Sequence, residues 1–379
     1  MKKKICYFSG KRGGFGALLR TLKAIQSDPK FELQIVVSDM HLSEEFGKTK
    51  DEVSKHFQIS ASIYMGQKGD SAKERTAALG VCIEKAASVF SVLNPDMLLV
   101  LGDRSETLAA VMAAVNMHIP VYHVEGGDKT GNLDDWFRHA ITKLSHIHLV
   151  AHNGAYEKVC SLGEDPERVY VVGDAHLDLI SNGEFTPFET VAAKYNLCRN
   201  DFTMVLYHPE TLNRENAYRT MSIILEEVKE IGSSTIVIYP CSDQGYGEVV
   251  KAIKDCCLPN MKVFKNLEAG DFLGLLSGAK VLVGNSSSGI KEAALFKTPV
   301  VNVGLRQEGR LRSENIIDVP YPDKVSVRNA LEMSIDPNWV KSLPDNLSLP
   351  YGEGRTSEKI MEVLKKTAFK KDLFLKKTF

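Results

Sequence analysis

Short apolar runs alternate with longer amphipathic stretches along almost the whole chain. Ile5–Phe8, Leu33–Val37, Met97–Leu101, Val121–Val124, Ile147–Val150 and Val169–Val172 are rich in Val, Ile, Leu and aromatic residues, as expected of strands buried on both faces. Helical patterns lie between them, near Ala17–Gln26, Ala72–Leu93, Glu106–Met117, Asp134–Ser145 and Gly154–Leu162. Strands joined by helices predict a parallel sheet covered on both sides. The pattern restarts after Ser181-Asn182-Gly183-Glu184-Phe185-Thr186-Pro187. Strands are then predicted at Phe202–Tyr207, Thr235–Tyr239, Lys262–Phe264, Lys280–Val283 and Val300–Val303, with helices near Asn216–Ile231, Gly247–Asp255, Glu268–Leu276 and Gly289–Phe296. This predicts an α/β protein of two doubly wound, Rossmann-like domains facing across a cleft, residues 1–175 and 176–356. An amphipathic helix, Ser357–Lys366, falls in the last segment, 357–379, and could pack back on either domain, the N-terminal one being preferred.

Composition narrows the picture. The 379 residues suit two domains of about 150 each. Lys and Arg number 47 against 48 Asp and Glu, so the net charge of −1 gives no electrostatic reason to expect nucleic-acid or anionic-membrane binding. Runs of 18 or more uncharged apolar residues are absent, so no membrane span is expected. Met1-Lys2-Lys3-Lys4 is followed by only Ile5–Phe8, short of the roughly 7–15 apolar residues of a signal peptide, and a cytoplasmic location is expected. The seven cysteines are scattered without a Cys-x-x-Cys, which indicates neither a disulfide framework nor a zinc cage; most are expected to be small buried hydrophobes.

Sheets of this kind bind ligands beyond the carboxyl ends of their strands, so the residues there are the candidates. Ser9-Gly10-Lys11-Arg12-Gly13-Gly14-Phe15-Gly16 follows the first strand; it reads either as a tight turn or, with Arg12, as an anion site. Asp103, after Met97–Leu101, reads either as a helix cap or as a catalytic carboxylate. Glu125-Gly126-Gly127 ends the next strand, and the glycines suggest room for a ligand beside the Glu125 carboxylate. Asp134, Asp135, Arg138 and His139 follow at helical spacing, as surface pairs or as part of a site. Together, Asp103, Glu125 and Asp134 could divide acid and base roles, since mutual repulsion separates the pKa values of grouped carboxylates; a magnesium site is the weaker reading. His146, His148 and His152 lack metal-ligand spacing and read as structural. In the second half, His208 ends a strand where it can meet a phosphate or move a proton. Gly284-Asn285-Ser286-Ser287-Ser288-Gly289 leads into a helix carrying Glu292: a diphosphate cradle beside a carboxylate suited to a ribose, or a serine-rich cap. Arg306, Arg310 and Arg312 offer forked donors for phosphate, or a solvated surface.

Taken together, these segments resemble the hydrolysing UDP-N-acetylglucosamine 2-epimerases, particularly the branch serving sialic acid, legionaminic acid and related sugars. The resemblance covers nearly the whole chain. It rests on Gly102-Asp103-Arg104-Ser105-Glu106, His123-Val124-Glu125-Gly126-Gly127, Thr130-Gly131-Asn132-Leu133-Asp134-Asp135 and Arg138-His139-Ala140-Ile141-Thr142-Lys143-Leu144-Ser145-His146. It continues through His208-Pro209-Glu210-Thr211, Gly284-Asn285-Ser286-Ser287-Ser288-Gly289-Ile290, Lys297-Thr298-Pro299-Val300-Val301-Asn302, Arg306-Gln307 and Gly309-Arg310. The resemblance implies a GT-B-like pair of Rossmann domains, usually homodimeric, acting on a UDP-sugar without metal or other cofactor. Elimination of UDP would give a 2-acetamidoglycal, and addition of water would release the sugar inverted at C2. By motif position Asp103, Glu125 and Asp134 would be the acid/base carboxylates, with Arg12 and His208 on the phosphate side. Ser286, Ser287, Glu292 and Arg306 would hold the nucleotide, with Ser288 and Gly289 completing the cradle.

Three departures from the family pattern flank the expected ligand: Gly13-Gly14 after Arg12, Gly173-Asp174-Ala175-His176, and Tyr239-Pro240-Cys241-Ser242-Asp243-Gln244-Gly245-Tyr246. They allow either drift or an altered sugar, with UDP-2,4-diacetamido-2,4,6-trideoxyglucose (the bacillosamine derivative) as the candidate and the 2,4-diacetamido-2,4,6-trideoxymannose as its product. The alternatives are a GT-B glycosyltransferase using a UDP-sugar and a non-catalytic nucleotide-sugar sensor.

Overall fold

The computed structural model describes residues 2–69, 71–130, 133–210, 216–256 and 260–367, apart from the Arg12 side chain. Two compact units result: the first takes the chain to residue 129, then 133–182 and the chain from Tyr351, and the second spans Gly183–Pro350.

The first unit is a seven-stranded parallel sheet, β1 (Lys3–Ser9), β2 (Phe31–Ser38), β3 (Ile59–Ile63), β4 (Met97–Leu101), β5 (Val121–Val124), β6 (Ile147–Val150) and β7 (Val169–Val171). Its order is β3-β2-β1-β4-β5-β6-β7, so the direction of winding reverses between β1 and β4. One face packs on Phe15, Leu18, Leu22 and Ile25 of the helix Arg12–Ser27, the other on Ala78, Cys82, Ala86 and Phe90 of the helix Ala72–Leu93. By length and composition Ala72–Leu93 could cross a membrane, the one such helix among the described residues. Here it opens on a Ser71/Glu74 capping box and lays its buried stripe on the sheet.

The second unit repeats the architecture with β8 (Phe202–Leu206), β9 (Ser234–Ile238), β10 (Met261–Phe264), β11 (Val281–Gly284), β12 (Val300–Val303) and β13 (Ile316–Val319), in the order β10-β9-β8-β11-β12-β13 and parallel throughout. Its core joins Val205, Val237, Val283 and Val301 to Met221, Ile224 and Val228 of the helix Ala217–Ile231.

The junction differs from the one expected after residue 175. The turn Ala175–Leu177 and the short helix Asp178–Ser181 belong to the first unit, and the chain returns to it at Tyr351. The cause is Asp178, whose buried carboxylate accepts the Thr356 and Ser357 N–H groups, each at 2.6 Å, at the start of the helix Thr356–Thr367. That helix sets Ile360 and Leu364 into the first core, its Lys365 meets Asp28 at 2.9 Å, and Thr367 binds the Tyr122 hydroxyl at 3.0 Å.

Other differences have local causes. The helix after β1 starts at Arg12, not Ala17, so Gly13, Gly14 and Gly16 are helical despite their poor propensity. Strands β3 and β13 and the helix Lys324–Ile335 carry too mixed a pattern to stand out in the sequence. Of the six described cysteines only Cys6 and Cys82 are buried; Cys160, Cys241 and Cys256 are partly buried, Cys198 is exposed, and Cys257 lies outside the described residues.

Candidate active site

The carboxyl ends of β4 and β5 carry the acidic candidates of the first unit. Gly102 N–H donates to Val124 O at 2.9 Å, lashing the two strand ends together. His123, fully buried on β5, donates from Nε2 to Gly102 O at 2.7 Å, while Nδ1 receives the Thr142 hydroxyl at 3.2 Å. Burial holds this imidazole neutral and lowers its pKa to about 3. A neutral ring with one donor and one acceptor therefore fixes the loop that presents Asp103.

Asp103 does not cap the helix Ser105–Asn116, whose start has no side-chain cap. It binds Arg138, the largest fully buried side chain, whose other contacts are Asp135 Oδ1 at 2.5 Å and Asp128 O at 3.0 Å. Lys11 Nζ lies 4.0 Å from Asp103 Oδ1. Burial opposes the guanidinium charge, but Asp103, Asp128, Asp135 and Asp134 outweigh it and raise the Arg138 pKa. The run Asp134–His139 is thus no solvated pair set: one face of the helix Leu133–Leu144 gathers its acids around a buried cation. Gly131 and Asn132 lie outside the described residues.

Below this loop Arg75 and Arg104 clamp Glu106 and Asp39, with contacts of 2.5 Å (Arg75–Glu106), 3.1 Å (Arg104–Glu106), 3.1 Å (Arg75–Asp39) and 3.6 Å (Arg104–Asp39). Burial alone would raise the Glu106 pKa, but the two guanidiniums outweigh it and hold it at about 2. A Cβ at Gly10 would overlap Glu106, so the ends of β1, β2 and β4 rest on one ionic block.

Glu125 is buried with its backbone in the left-handed region, φ 63°, and its N–H donates to Leu149 O at 2.9 Å. The two glycines after it have a packing reason. A Cβ at Gly126 would press on His123 and Thr142, and one at Gly127 (φ 84°) would overlap Ala155 O. The partner of Glu125 comes from the turn after β7: His176 Nδ1 lies 3.0 Å from Glu125 Oε1 and 3.0 Å from Asp174 Oδ1. Sequence reasoning marked Gly173–His176 only as a departure, because nothing local says that this turn reaches the end of β5. The ligand-type atoms of Glu125, Asp174 and His176 lie within 4.8 Å of one another, and a shared Nδ1 proton accounts for that closeness.

His146, His148 and His152 have structural partners. His146 Nδ1 accepts Val121 N–H at 3.1 Å and His148 donates to Glu164 at 3.0 Å. His152 accepts Ala155 N–H at 3.2 Å and donates to Asp128 at 2.9 Å.

In the second unit Asn285 is the hub, although its sequence motif assigns it no role of its own. Its Oδ1 accepts His208 N–H at 2.7 Å and its Nδ2 donates to His208 O at 2.9 Å. Its own carbonyl accepts Arg306 Nη1 at 3.3 Å and Gln307 Nε2 at 2.8 Å. Gly284 (φ 138°) makes this possible, since a Cβ there would overlap Leu206 O. His208 Nδ1 accepts Cys241 N–H at 3.0 Å, which leaves the ring proton on Nε2. Ser286 caps the next helix by accepting Ser288 N–H at 3.3 Å. That helix, Ser287–Lys291, is short and includes Gly289; buried Glu292 stands where it gives way to the 3-10 turn Ala293–Phe296. Arg306 Nη2 lies 3.5 Å from Asp243 Oδ2, whereas Arg312 pairs with Asp318 at 3.0 Å. Glu210 accepts Leu305 N–H at 2.6 Å and anchors the loop bearing Arg306; Thr211 lies outside the described residues.

Acids gathered at strand ends in one Rossmann-like domain, and a histidine–asparagine–arginine cluster at strand ends in another, define an α/β enzyme of the two-domain Rossmann class. The pattern of the family described as UDP-N-acetylglucosamine 2-epimerase matches residues 23–365, and the chain belongs to that family. It is 34% identical over 328 residues to the GDP/UDP-N,N'-diacetylbacillosamine 2-epimerase (hydrolyzing) of Campylobacter jejuni, covering 85% of each chain. It is 32% identical over 369 residues to the UDP-N,N'-diacetylbacillosamine 2-epimerase (hydrolyzing) of Legionella pneumophila, covering 96% of each. The solved UDP-GlcNAc 2-epimerase of Neisseria meningitidis, bound to UDP-GlcNAc, has the same fold, with TM-score 0.79 at 19% identity over 96% of this chain and 100% of that one.

Proposed function

We propose that the protein is a hydrolysing UDP-sugar 2-epimerase whose substrate is UDP-2,4-diacetamido-2,4,6-trideoxyglucose. The observation that carries the chemistry is the set of carboxylates at the ends of β4 and β5: Asp103 and Asp134 around Arg138, and Glu125 on the adjacent strand. In this reading Glu125 takes the C2 proton as the C1–O bond breaks and UDP leaves as a 2-acetamidoglycal forms. Water then adds at C1, releasing its proton to solvent, while Asp134 delivers a proton drawn from solvent to the opposite face of C2. Asp103, hydrogen-bonded to Arg138, faces the positive charge developing on the ring. His208 Nε2–H, Arg306 and Arg12 bind the departing diphosphate, Ser286 to Gly289 line its cradle, and Glu292 accepts the ribose hydroxyls. Positioned acid–base groups of this kind contribute about 10²–10⁴-fold each.

The names of the Campylobacter and Legionella relatives support the bacillosamine-type sugar, and 2,4-diacetamido-2,4,6-trideoxymannose would be the product. Release of UDP from this UDP-sugar and from UDP-N-acetylglucosamine, compared at equal concentration, tests the choice. Faster turnover of the diacetamido sugar is expected; equal or faster turnover of UDP-N-acetylglucosamine would reject it. A homodimer and a cytoplasmic location complete the reading, and light scattering that returns the mass of a single chain would remove the former.

A further inference from the structure

We propose that His176 is a positioning residue for this reaction: clamped between Asp174 and Glu125, it fixes the Glu125 side chain and keeps it ionised for proton abstraction. The inference rests on the epimerase reading, in which Glu125 is the base, and deepens it.

The geometry carries the argument. His176 Nδ1 stands 3.0 Å from one oxygen of each carboxylate, and one ring proton directed between two anions is the arrangement of a shared imidazolium donor. All three groups are largely removed from water, with side-chain exposures of 15% for His176, 8% for Glu125 and 0% for Asp174. Two buried carboxylates this close cannot both stay ionised without a cation between them.

The turn that carries His176 is held on several sides. Asp174 Oδ1 also accepts His176 N–H at 2.9 Å, and Asp174 O accepts the Thr356 hydroxyl at 3.0 Å. A Cβ at Gly173 would press on Thr356, so the turn sits directly on the start of the C-terminal helix. On the other side Glu125 holds a left-handed backbone, φ 63°, that a glutamate adopts only at a cost. Strain of that sort persists where the surroundings over-determine it, and here it aims the carboxylate at the imidazole.

The charges acting on the ring are those of Glu125 and Asp174. Burial opposes its protonation, but these two carboxylates outweigh burial and raise its pKa to about 10. The next acid in the turn, Asp178, is directed to the Thr356 and Ser357 N–H groups. From the packed C-terminal helix, Lys365 is engaged with Asp28 and Glu358 with Arg355. Tyr7 of β1 feels the Glu125 charge, and burial keeps its phenol protonated.

His176→Asn keeps an amide donor near the Nδ1 position and removes the positive charge. The acid limb of kcat/KM against pH is expected to move up by about one to three pH units, because losing an adjacent opposite charge raises a carboxylate pKa by that much. kcat is expected to fall while KM changes little. Asp174→Asn is expected to lower the His176 pKa and bring the alkaline limb to lower pH. Spectra of the full-length protein labelled with 13C at histidine Cε1, with His176 assigned by its loss in His176→Asn, read the coupling without turnover. The wild-type imidazole should stay protonated past pH 8, and Glu125→Gln should bring its titration down. A folded His176→Asn variant with an unmoved acid limb would overturn the proposal, as would an imidazole indifferent to Glu125→Gln. Wild-type protein that releases no UDP from any UDP-sugar would instead overturn the epimerase reading, while the spectra still decide whether His176 and Glu125 are coupled.

Discussion

Arg138 holds more of the first unit's chemistry in place than any acid around it. Its guanidinium binds Asp103, Asp135 and the Asp128 carbonyl while almost wholly buried. Removing one partner of such a cluster leaves charges buried and uncompensated. Arg138→Met is therefore expected to cost about 3–5 kcal/mol in urea unfolding and to abolish turnover. Arg138→Lys keeps the charge without the fork, so it should fold better than the Met variant yet stay poorly active. Equal stability of Arg138→Met and wild type would contradict the account. In the second unit Asn285→Ala would strip partners from the His208 N–H and carbonyl, at about 1–3 kcal/mol if each stays unsatisfied. UDP affinity is expected to drop with it, as read by calorimetry.

Among the elements, the C-terminal helix Thr356–Thr367 is an integral part of the first core despite its distance along the chain. Leu364→Ala should destabilise by about 2–5 kcal/mol, as for other fully buried leucines. A change under 0.5 kcal/mol would mean that this helix does not pack where it is described. Strands with near-continuous apolar runs, such as β4, β5 and β6, were legible in the sequence to the residue. So was the helix Ala72–Leu93. Edge strand β3 was not, because its half-exposed Ile59-Ser60-Ala61-Ser62-Ile63 lacks a clean period. At the candidate site, Asp103, Glu125 and His208 stand out in the sequence because polar residues at the ends of apolar strands are conspicuous. Arg138, His176 and Asn285 were undervalued because their meaning lies in contacts spanning 35, 51 and 77 residues. Periodicity and local motifs carry no information about such partners.

For the molecule as a whole, three buried groups of the first unit contribute to how stability varies with pH. His123 is held neutral, with its pKa lowered from 6.5 to about 3. Its contribution is complete above about 6.5 and is lost as the pH falls towards 3. Glu106, held low by Arg104 and Arg75, adds a loss over the acid range that its neighbour Asp39, raised by burial and by the Glu106 charge, opposes. His176 works the other way: raised from 6.5 to about 10, it stabilises fully below 6.5 and loses that contribution as the pH rises towards 10. The midpoint of thermal unfolding should therefore peak near neutral pH, and His176→Asn should flatten the alkaline side, with the acid side changing only through the carboxylates that lose their cation, Glu125 and Asp174. An alkaline decline that survives the substitution would assign it to other groups.

The central claim is that this chain breaks a C2–H bond and the adjacent C1–O bond of a UDP-sugar with its own acids. Incubation of EDTA-treated protein with UDP-2,4-diacetamido-2,4,6-trideoxyglucose in D₂O measures this directly, by mass spectrometry and NMR of the sugar. The account predicts free UDP and a sugar of inverted C2 carrying one solvent deuterium at that carbon. Intact UDP-sugar, or UDP release with C2 still bearing its original proton, would contradict it.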